Sequence, residues 1–369
     1  MSAPVRVLVV DDSALMRKLI PQILQTDTGI QVVGTAMDGN FGLRKIEELK
    51  PQVVTVDLEM PGMGGIDMLK EIMRRHRVPV IVVSSHSTEG ASITLKALSL
   101  GAFDFVAKPQ DVSARMPEIA RELIAKIKAA AESRTVKLRE FSGAPRPIDK
   151  SSRREKQNPT RVVAIGISTG GPNALQYVFS QLPGDFPGTI VVVQHMPEGF
   201  TEMFSRRLDE ICAISVKEAQ SGDLLLAGRV LICPGSRHMK VKRLPLGDVV
   251  VLSDEPRVNG HRPSVDVLFK SVAEEFREKS LAVLMTGMGE DGAQGLGFVK
   301  AAGGMTIAQS EDSCVVYGMP RAAIDRGYAV RVVSLEAMAS TLQAQCASGS
   351  AKESGFDAGN GRAAGAGKD

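Results

Sequence analysis

The first residues that could do chemistry stand at the ends of short apolar runs in the first third of the chain. Asp11 and Asp12 follow the first run, and Asp57 ends the third. Ser84 ends the fourth run, and Lys108 follows the fifth. Because the carboxyl ends of parallel strands meet at one edge of a sheet, we expect these side chains to converge. Clustered carboxylates repel one another unless a cation bridges them, so the cluster predicts a Mg²⁺ site.

The same cluster predicts transfer of a phosphoryl group to a carboxylate. Asp57 is placed to attack phosphorus, while the cation and Lys108 neutralise the phosphoryl oxygens and Ser84 donates to one of them. A strand-terminal Asp can also simply cap the following helix, as Asp12 or Ser13 could do here. That second interpretation stays open for any one Asp, but it does not explain why all these groups occur together.

A second set of reactive residues lies in the other half of the chain. Ser168, His195 and Asp291 each follow a predicted strand, so they can meet although they are far apart in sequence. A serine hydroxyl attacks a carbonyl only when an imidazole removes its proton and a carboxylate fixes that imidazole. The order Ser, His, Asp and the absence of a G-x-S-x-G elbow differ from the familiar hydrolases, but triads are recognised by geometry. This set predicts acyl-transfer chemistry.

Glycines surround the same predicted site. Gly170 and Gly171 follow Ser168, where free N–H groups at a helix start can face an oxyanion, and Gly287 and Gly289 form a second flexible loop.

Two other interpretations of the motif GISTGGP remain open. It could cradle a phosphate in a nucleotide-binding domain, although its glycines do not form G-x-G-x-x-G and the next strand ends in His195 instead of an acidic residue. Ser168 could also be only a helix cap.

The elements that position these residues alternate strand and helix, which predicts an α/β chain with two doubly wound parallel-sheet domains. We assign one domain to residues 3–130, a basic flexible linker to 131–159, a second domain to 160–345 and a disordered Gly/Ala-rich tail to 346–369. The strands expected in the first domain are Val5–Val10, Gln31–Ala36, Val53–Asp57, Val80–Ser84 and Asp104–Ala107. Those expected in the second domain lie in RVVAIGI, TIVVVQ, RVLIC, MKVKR, VVVLS, SLAVLM and MTIA.

Composition excludes several classes of protein. The 369 residues are 43% hydrophobic and 24% charged, as in ordinary globular proteins. The net charge is +3, but residues 133–160 carry +5 and leave the remainder at −2, so neither domain is expected to bind nucleic acid. No apolar run approaches the roughly 20 residues that span a bilayer. We therefore expect a cytoplasmic protein that is not inserted in a membrane, with its four cysteines reduced.

Residues 3–130 resemble the receiver domain of two-component response regulators. The matching text is VLVVDDSALMR, VVTVDLEMPGMGGIDML, VPVIVVSS and GAFDFVAKP. The resemblance implies a flavodoxin-like fold with Asp57 as phosphoacceptor. It also implies a Mg²⁺ ion held by Asp11, Asp12 and Asp57, and Ser84, Phe105 and Lys108 as switch residues.

Residues 160–345 resemble the catalytic domain of the CheB family of chemotaxis methylesterases. The matching text is AIGISTGGP, VVVQHMPEGF, GHRPSVDVLF and MTGMGEDGA. The resemblance implies a Rossmann-like domain with Ser168 as nucleophile, His195 as base, Asp291 as the acid that orients it, and the Met288 N–H as oxyanion donor. It implies no cofactor for the esterase reaction. His261, in GHRPSVD, is a further candidate to line the substrate cleft or the domain interface.

The combined resemblance implies a switched enzyme of sensory adaptation. It would demethylate glutamate methyl esters on methyl-accepting chemotaxis receptors, release methanol, and deamidate certain receptor glutamines. The partners implied are those receptors, with the protein peripheral to their arrays, and a chemotaxis histidine kinase as phosphodonor. We expect the unphosphorylated receiver to pack across the hydrolase cleft and phosphorylation to release it. A receiver-linked transcription factor and a non-enzymatic scaffold are the alternatives.

Overall fold

The computed structural model describes residues 3–85, 87–108, 116–132, 150–153 and 158–347. The predicted linker and tail lie mostly outside these residues, so their boundaries remain predictions. Helical structure continues through Glu132 in the first half and through Ala347 in the second. Both points lie two residues beyond the predicted domain ends, and in the second domain Cys346 of the last helix is still buried.

The first domain is built on a five-stranded parallel sheet in the order β2-β1-β3-β4-β5. Its strands are β1 Val5–Val10, β2 Ile30–Ala36, β3 Val53–Asp57, β4 Val80–Ser84 and β5 Asp104–Ala107. Its helices are α1 Ala14–Leu24, α2 Gly39–Leu49, α3 Gly65–Arg75, α4 Thr88–Ser99 and α5 Met116–Glu132. All five strands predicted from the sequence are present.

Residues of this sheet are apolar on both faces because helices cover both sides. Along β1, Val7 and Val9 pack in one cluster with residues of α1 and α5, whereas Leu8 and Val10 pack in another with residues of α2, α3 and α4. Such runs of Val and Leu without polar alternation are typical of parallel strands. The arrangement confirms the doubly wound α/β fold for this half.

The second domain contains a seven-stranded parallel sheet in the order β14-β13-β12-β6-β7-β9-β8 and a separate two-stranded hairpin. The sheet strands are β6 Val162–Ile167, β7 Thr189–Gln194, β8 Ser215–Glu218, β9 Arg229–Ile232, β12 Ser280–Leu284, β13 Met305–Gln309 and β14 Arg331–Val333. The hairpin strands are β10 His238–Lys242 and β11 Val249–Ser253. The helices are α6 Gly171–Phe179, α7 Phe200–Ile211, α8 Val265–Phe276, α9 Ala293–Ala301, α10 Met319–Asp325 and α11 Leu335–Ala347.

The two strands that sequence inspection missed, β8 and β14, are the two edges of this sheet. They are short and partly polar, with the sequences SVKE and RVV, so neither has the long apolar run of a central strand. The strands that carry the predicted triad are adjacent, since β6 lies between β12 and β7. The order of the strands therefore brings the ends of these three strands together.

The two domains contact each other through α4 of the first and α6 and α7 of the second. The Asn173 side chain of α6 donates to the Leu98 carbonyl of α4 at 3.0 Å. The Phe105 ring of β5 stacks on Phe200, the first residue of α7, with ring centroids 4.9 Å apart. Buried residues of both domains form one continuous apolar cluster. Among the described helices, none is both long enough and apolar enough to cross a membrane.

Candidate functional site

Three carboxylates lie together at the carboxyl ends of β1 and β3. Oxygen atoms of Asp11, Asp12 and Asp57 all lie within 4.8 Å of one another. Asp11 and Asp57 are buried and Asp12 is exposed. Ser13, rather than Asp12, accepts from the first turn of α1. The structure thus brings the predicted carboxylates together, and helix capping does not account for Asp12.

Lys108 reaches the same cluster from the end of β5. Its Nζ lies 2.6 Å from Asp57 Oδ2 and 3.2 Å from Asp11 Oδ2. Burial raises the pKa of Asp57 and of Asp11, although Lys108 acts in the opposite direction. Burial alone would lower the pKa of Lys108, but its hydrogen bond to Asp57 and the nearby carboxylates raise it. The lysine therefore remains a cation beside Asp57.

The donor set of this cluster fits a hard divalent cation. All three groups offer carboxylate oxygens, the ligands that Mg²⁺ prefers. Asp11 Oδ2 is buried with the Lys108 ammonium group 3.2 Å away, and its remaining lone pair can accept a further ligand. An additional positive charge would also offset the mutual repulsion of Asp11 and Asp57.

Two of the predicted switch residues contact elements outside the carboxylate cluster: Ser84 contacts α4, and Phe105 contacts the second domain. Ser84 Oγ accepts from Thr94 of α4 at 2.6 Å and donates to the Gly90 carbonyl at 3.2 Å. Phe105 is buried against Phe200 of the other domain. Thr94 was not singled out from the sequence, because nothing in its local pattern differs from a core position of a helix. These contacts connect the carboxylate cluster to α4 and to the domain interface.

A histidine–aspartate pair lies at the carboxyl edge of the second sheet. His195 Nε2 is 2.9 Å from Asp291 Oδ2, and the Asp291 side chain is fully buried. Burial alone would raise the pKa of Asp291, but the hydrogen bond and charge of His195, together with other donors, lower it to about 2. Asp291 is therefore ionised at neutral pH and can orient the imidazole.

The backbone of Ser168 is fixed beside this pair. His195 N donates to the carbonyl of Ile167, the residue before Ser168, at 3.1 Å. This hydrogen bond holds the backbone of His195 next to the end of the strand that carries Ser168. Gln194 Nε2 donates to the carbonyls of both Ser168 and His195, each at 3.1 Å. Within the described residues, His195 Nδ1 is buried without a hydrogen-bond partner, so no hydrogen bond joins it to Ser168 Oγ. Such bonds often tighten only when substrate is bound.

The local structure does not support the interpretation of Ser168 as a helix cap. Gly170, at a φ of +78°, is the N-cap of α6, and Ser168 lies outside the helix.

The loop that follows β12 approaches Ser168 closely. A Cβ atom at Gly287 would lie 2.8 Å from Ser168 Cβ. The loop that carries Met288 therefore lies against Ser168, and Met288 itself is half-buried next to Gly289 at a φ of +81°.

The start of α8 provides contacts to Asp291 that sequence inspection missed. Ser264 Oγ donates to Asp291 Oδ1 at 2.7 Å, and the Val265 backbone N–H donates to Oδ2 at 2.7 Å. The N–H of Asp266 adds a longer contact at 3.3 Å. Free N–H groups at a helix start favour a negative charge, so α8 stabilises the Asp291 carboxylate. The sequence analysis singled out the motif GHRPSVD because of His261. The serine of the same motif, Ser264, was the feature that could have pointed to these contacts.

His261 lies against the histidine of the pair. The His261 and His195 rings are parallel within 1°, with centroids 4.1 Å apart. Burial and the neighbouring His195 lower the pKa of His261 from 6.5 to about 4. The structure puts His261 beside the catalytic candidates, and Glu122 of the receiver is among the charged groups that act on its pKa.

The lowered pKa of His261 predicts a pH-dependent loss of stability. Between pH 6.5 and 4 the unfolded chain binds a proton at His261 that the folded chain does not, so stability falls as the pH falls through this window. We expect His261→Phe to gain about 1–2 kcal/mol relative to the parent when the pH is lowered from 7 to 5. Urea unfolding of both proteins at the two pH values measures this gain, and equal pH dependence would contradict it.

Comparison with known proteins gives two family matches and closely similar relatives. Residues 7–119 match the response regulator receiver domain, and residues 163–342 match CheB methylesterase. A Koribacter versatilis protein named protein-glutamate methylesterase/protein-glutamine glutaminase 2 is 61% identical, with 94% of this chain and 97% of the relative covered. Proteins of the same type from Symbiobacterium thermophilum and Treponema denticola are 46% and 42% identical. In both cases 92% of this chain is covered, with 96% and 97% of the relatives, respectively. This chain therefore belongs to the CheB family of protein-glutamate methylesterases/protein-glutamine glutaminases.

Proposed function

We propose that this protein is a phosphorylation-activated hydrolase of chemotactic adaptation. It removes methyl groups from glutamate methyl esters on methyl-accepting chemotaxis receptors, and it converts specific receptor glutamines to glutamate. The observation that supports this most strongly is the His195–Asp291 pair beside Ser168, with Asp291 fully buried, in a chain 61% identical to a relative with that name.

Ser168, His195 and Asp291 are proposed as the catalytic triad. Ser168 Oγ attacks the ester carbonyl carbon while His195 takes the serine proton, and the ionised Asp291 stabilises the imidazolium. The tetrahedral intermediate collapses to an acyl-enzyme, and His195 returns the proton to the leaving methoxide, so methanol departs. Water activated by His195 then cleaves the acyl-enzyme to give glutamate and free Ser168. With a glutamine substrate the leaving group is ammonia, and the remaining steps are identical.

The backbone N–H of Met288 is the proposed oxyanion donor. The adjacent Gly287 approaches Ser168 closely, which keeps the loop within reach of the tetrahedral intermediate. Glycine is needed at position 287 because a Cβ would also lie 2.3 Å from Met319 Sδ. No cofactor is required for these steps, since the triad supplies both the nucleophile and the proton transfers.

The carboxylate cluster is proposed as the phosphorylation site. Asp57 is the phosphoacceptor, and Asp11, Asp12 and Asp57 would hold Mg²⁺, which neutralises charge on the phosphoryl oxygens when bound. Lys108, already 2.6 Å from Asp57, supplies a second positive charge. The phosphodonor is a chemotaxis histidine kinase, and the protein works at the cytoplasmic ends of receptor arrays without entering the membrane.

Regulation is proposed to act through the contact between the domains. Phe105 stacks on Phe200, which follows the loop that begins at His195, so the receiver lies next to the catalytic machinery. Attraction of Ser84 to a phosphoryl group would break its hydrogen bond with Thr94 of α4, the helix that contacts α6 and α7. Phosphorylation therefore favours a receiver conformation that uncovers the site.

Asp57→Asn is expected to abolish activation by a small-molecule phosphodonor. The amide cannot become the acyl phosphate, so the rate with phosphodonor and Mg²⁺ should stay at the rate without them. Initial rates on methylated receptor membranes measure the ratio. Asp67→Asn, which alters an exposed ion pair with Lys70, is the control and should be activated like the parent. Activation of Asp57→Asn to the parent's level would contradict the assignment.

Phe105→Leu is expected to raise the basal rate about two- to tenfold. The aromatic pair contributes about 0.5–1.5 kcal/mol beyond its buried area, so its loss weakens the docked state by that amount. The rate with saturating phosphodonor should change less than twofold. Phe41→Leu, at an exposed phenylalanine on α2 of the receiver, is the control. An unchanged basal rate in Phe105→Leu would contradict inhibition through this contact.

Mass spectrometry of receptor peptides tests the proposed substrates. Incubation of a methylated, glutamine-containing receptor with the phosphorylated parent should convert specific methyl esters and specific glutamines to glutamate. If neither product forms with the parent while the receptor is a substrate for another methylesterase, the proposal is wrong for that receptor.

A further inference from the structure

A tight turn carries His261 to the catalytic candidates. Val258 and His261 pair through two backbone hydrogen bonds of 3.0 and 2.9 Å. Asn259 and Gly260 between them have φ values of +53° and +79°, the left-handed conformation that Asn-Gly readily adopts. The turn is therefore closed by its own backbone, which restricts where the His261 side chain can lie.

The same turn contacts both members of the histidine–aspartate pair. His261 covers one face of the His195 ring, with centroids 4.1 Å apart and the planes within 1°. Asn259 Nδ2 lies 3.4 Å from Asp291 Oδ1 and donates to Asp266 at 2.7 Å.

Covering a ring face matters because both edges of the His195 ring are needed. Nε2 is bound to Asp291, and the buried Nδ1 is the nitrogen left for the serine. Tilt or rotation of the ring would move both nitrogens away from their partners. A parallel ring at van der Waals distance opposes that motion.

His261 also remains uncharged where the enzyme works. The charged and titratable groups that act on it are His195, Asp291, Arg257 and Glu122 of α5 in the receiver. Burial and His195 lower its pKa to about 4. A neutral aromatic face attracts the imidazolium that forms on His195, whereas a second cation at this distance would repel it.

We propose that His261 is a positioning residue for His195. Its stacked ring fixes the orientation of the catalytic imidazole and favours the imidazolium formed during acyl transfer. This inference rests on the proposed function of the Ser168, His195 and Asp291 set. It assigns His261 no proton transfer, so an aromatic ring without titratable atoms should replace it.

The test compares two variants, His261→Phe and His261→Leu. Both introduce an apolar side chain, but only phenylalanine has a planar ring. We expect kcat of the Phe variant to stay within about threefold of the parent, and its pH–rate profile between pH 5 and 8 to keep the parent's shape. We expect kcat of the Leu variant to fall about tenfold or more with KM changed less than twofold, from loss of the ring contact and of alignment. His76→Leu in the receiver is the control for replacing a histidine far from the site.

A second readout does not depend on the receptor. A fluorophosphonate probe reacts with an activated serine. Its rate of reaction at Ser168 should be highest for the parent, slightly lower for His261→Phe and lowest for His261→Leu. Melting temperatures at pH 7 identify misfolding, and His261→Met replaces the Leu variant if that one does not fold.

Three outcomes would contradict the inference. A Leu variant as reactive as the parent would mean that His261 contributes only side-chain volume to the packing. A Phe variant as slow as Leu would mean that a ring nitrogen, not stacking, is required. Either outcome would overturn the inference, as would a parent that fails to react. A parent that reacts with the probe but leaves receptors unmodified would contradict only the proposed substrate.

Discussion

Ser168→Ala is expected to lower kcat for ester hydrolysis by at least about a thousandfold, because loss of the nucleophile costs a serine protease on the order of 10⁶-fold in kcat. Without the hydroxyl no acyl-enzyme can form, and only the weaker assistance of the oxyanion loop to water remains. KM should change little because the side chain is small. Binding of phosphodonor to the receiver should be unaffected.

The matched control for this change is Ser180→Ala, at the exposed end of α6, where the hydroxyl donates to the Tyr177 carbonyl. It should retain the parent's rate. Steady-state rates with a methylated receptor fragment measure both variants. A Ser168→Ala protein within tenfold of the parent would exclude the serine mechanism.

Asp291→Asn is expected to reduce kcat by about 10⁴-fold, as for the equivalent change in a serine protease triad. The amide can present its N–H to His195 Nε2, which places the imidazole proton on the wrong nitrogen for accepting from Ser168. The Ser264 hydroxyl and the Val265 N–H hold the side-chain group of residue 291 beside His195. The fold should survive, since Asn has almost the same shape as Asp.

Asp254→Asn is the control for this second prediction, because it changes an exposed ion pair with Arg237. Its rate should match that of the parent. The pH–rate profile of Asp291→Asn should be followed to alkaline pH, where any residual activity can be measured against background. Activity within a hundredfold of the parent would mean that Asp291 does not orient the base.

The fold could be predicted because its central strands are long apolar runs and its reactive residues stand at their ends. Asp57 and Ser168 illustrate this, since each directly follows or ends a buried strand of its sheet. The edge strands β8 and β14 were missed because partly polar residues suffice at an exposed edge. Chain order alone does not give the neighbours of a strand, so the position of β6 between β12 and β7 came from the structure.

Contacts between segments that are distant in the chain could not be predicted from the sequence either. Ser264 supports Asp291 from 27 positions away, and its role depends on where α8 starts relative to β12. Thr94 is an ordinary helix position until α4 is placed against Ser84. His261 was noted only as a member of a motif. Its stacking on His195 depends on a turn whose direction no periodicity encodes.

Methanol release from methylated receptor membranes is the most direct measurement of the central claim. The parent, Ser168→Ala and Asp57→Asn are compared, each with and without phosphodonor and Mg²⁺. We predict release that requires Ser168 and that rises with phosphodonor only when Asp57 is present. Release that persists in Ser168→Ala, or no release from the phosphorylated parent, would contradict a phosphorylation-activated serine methylesterase.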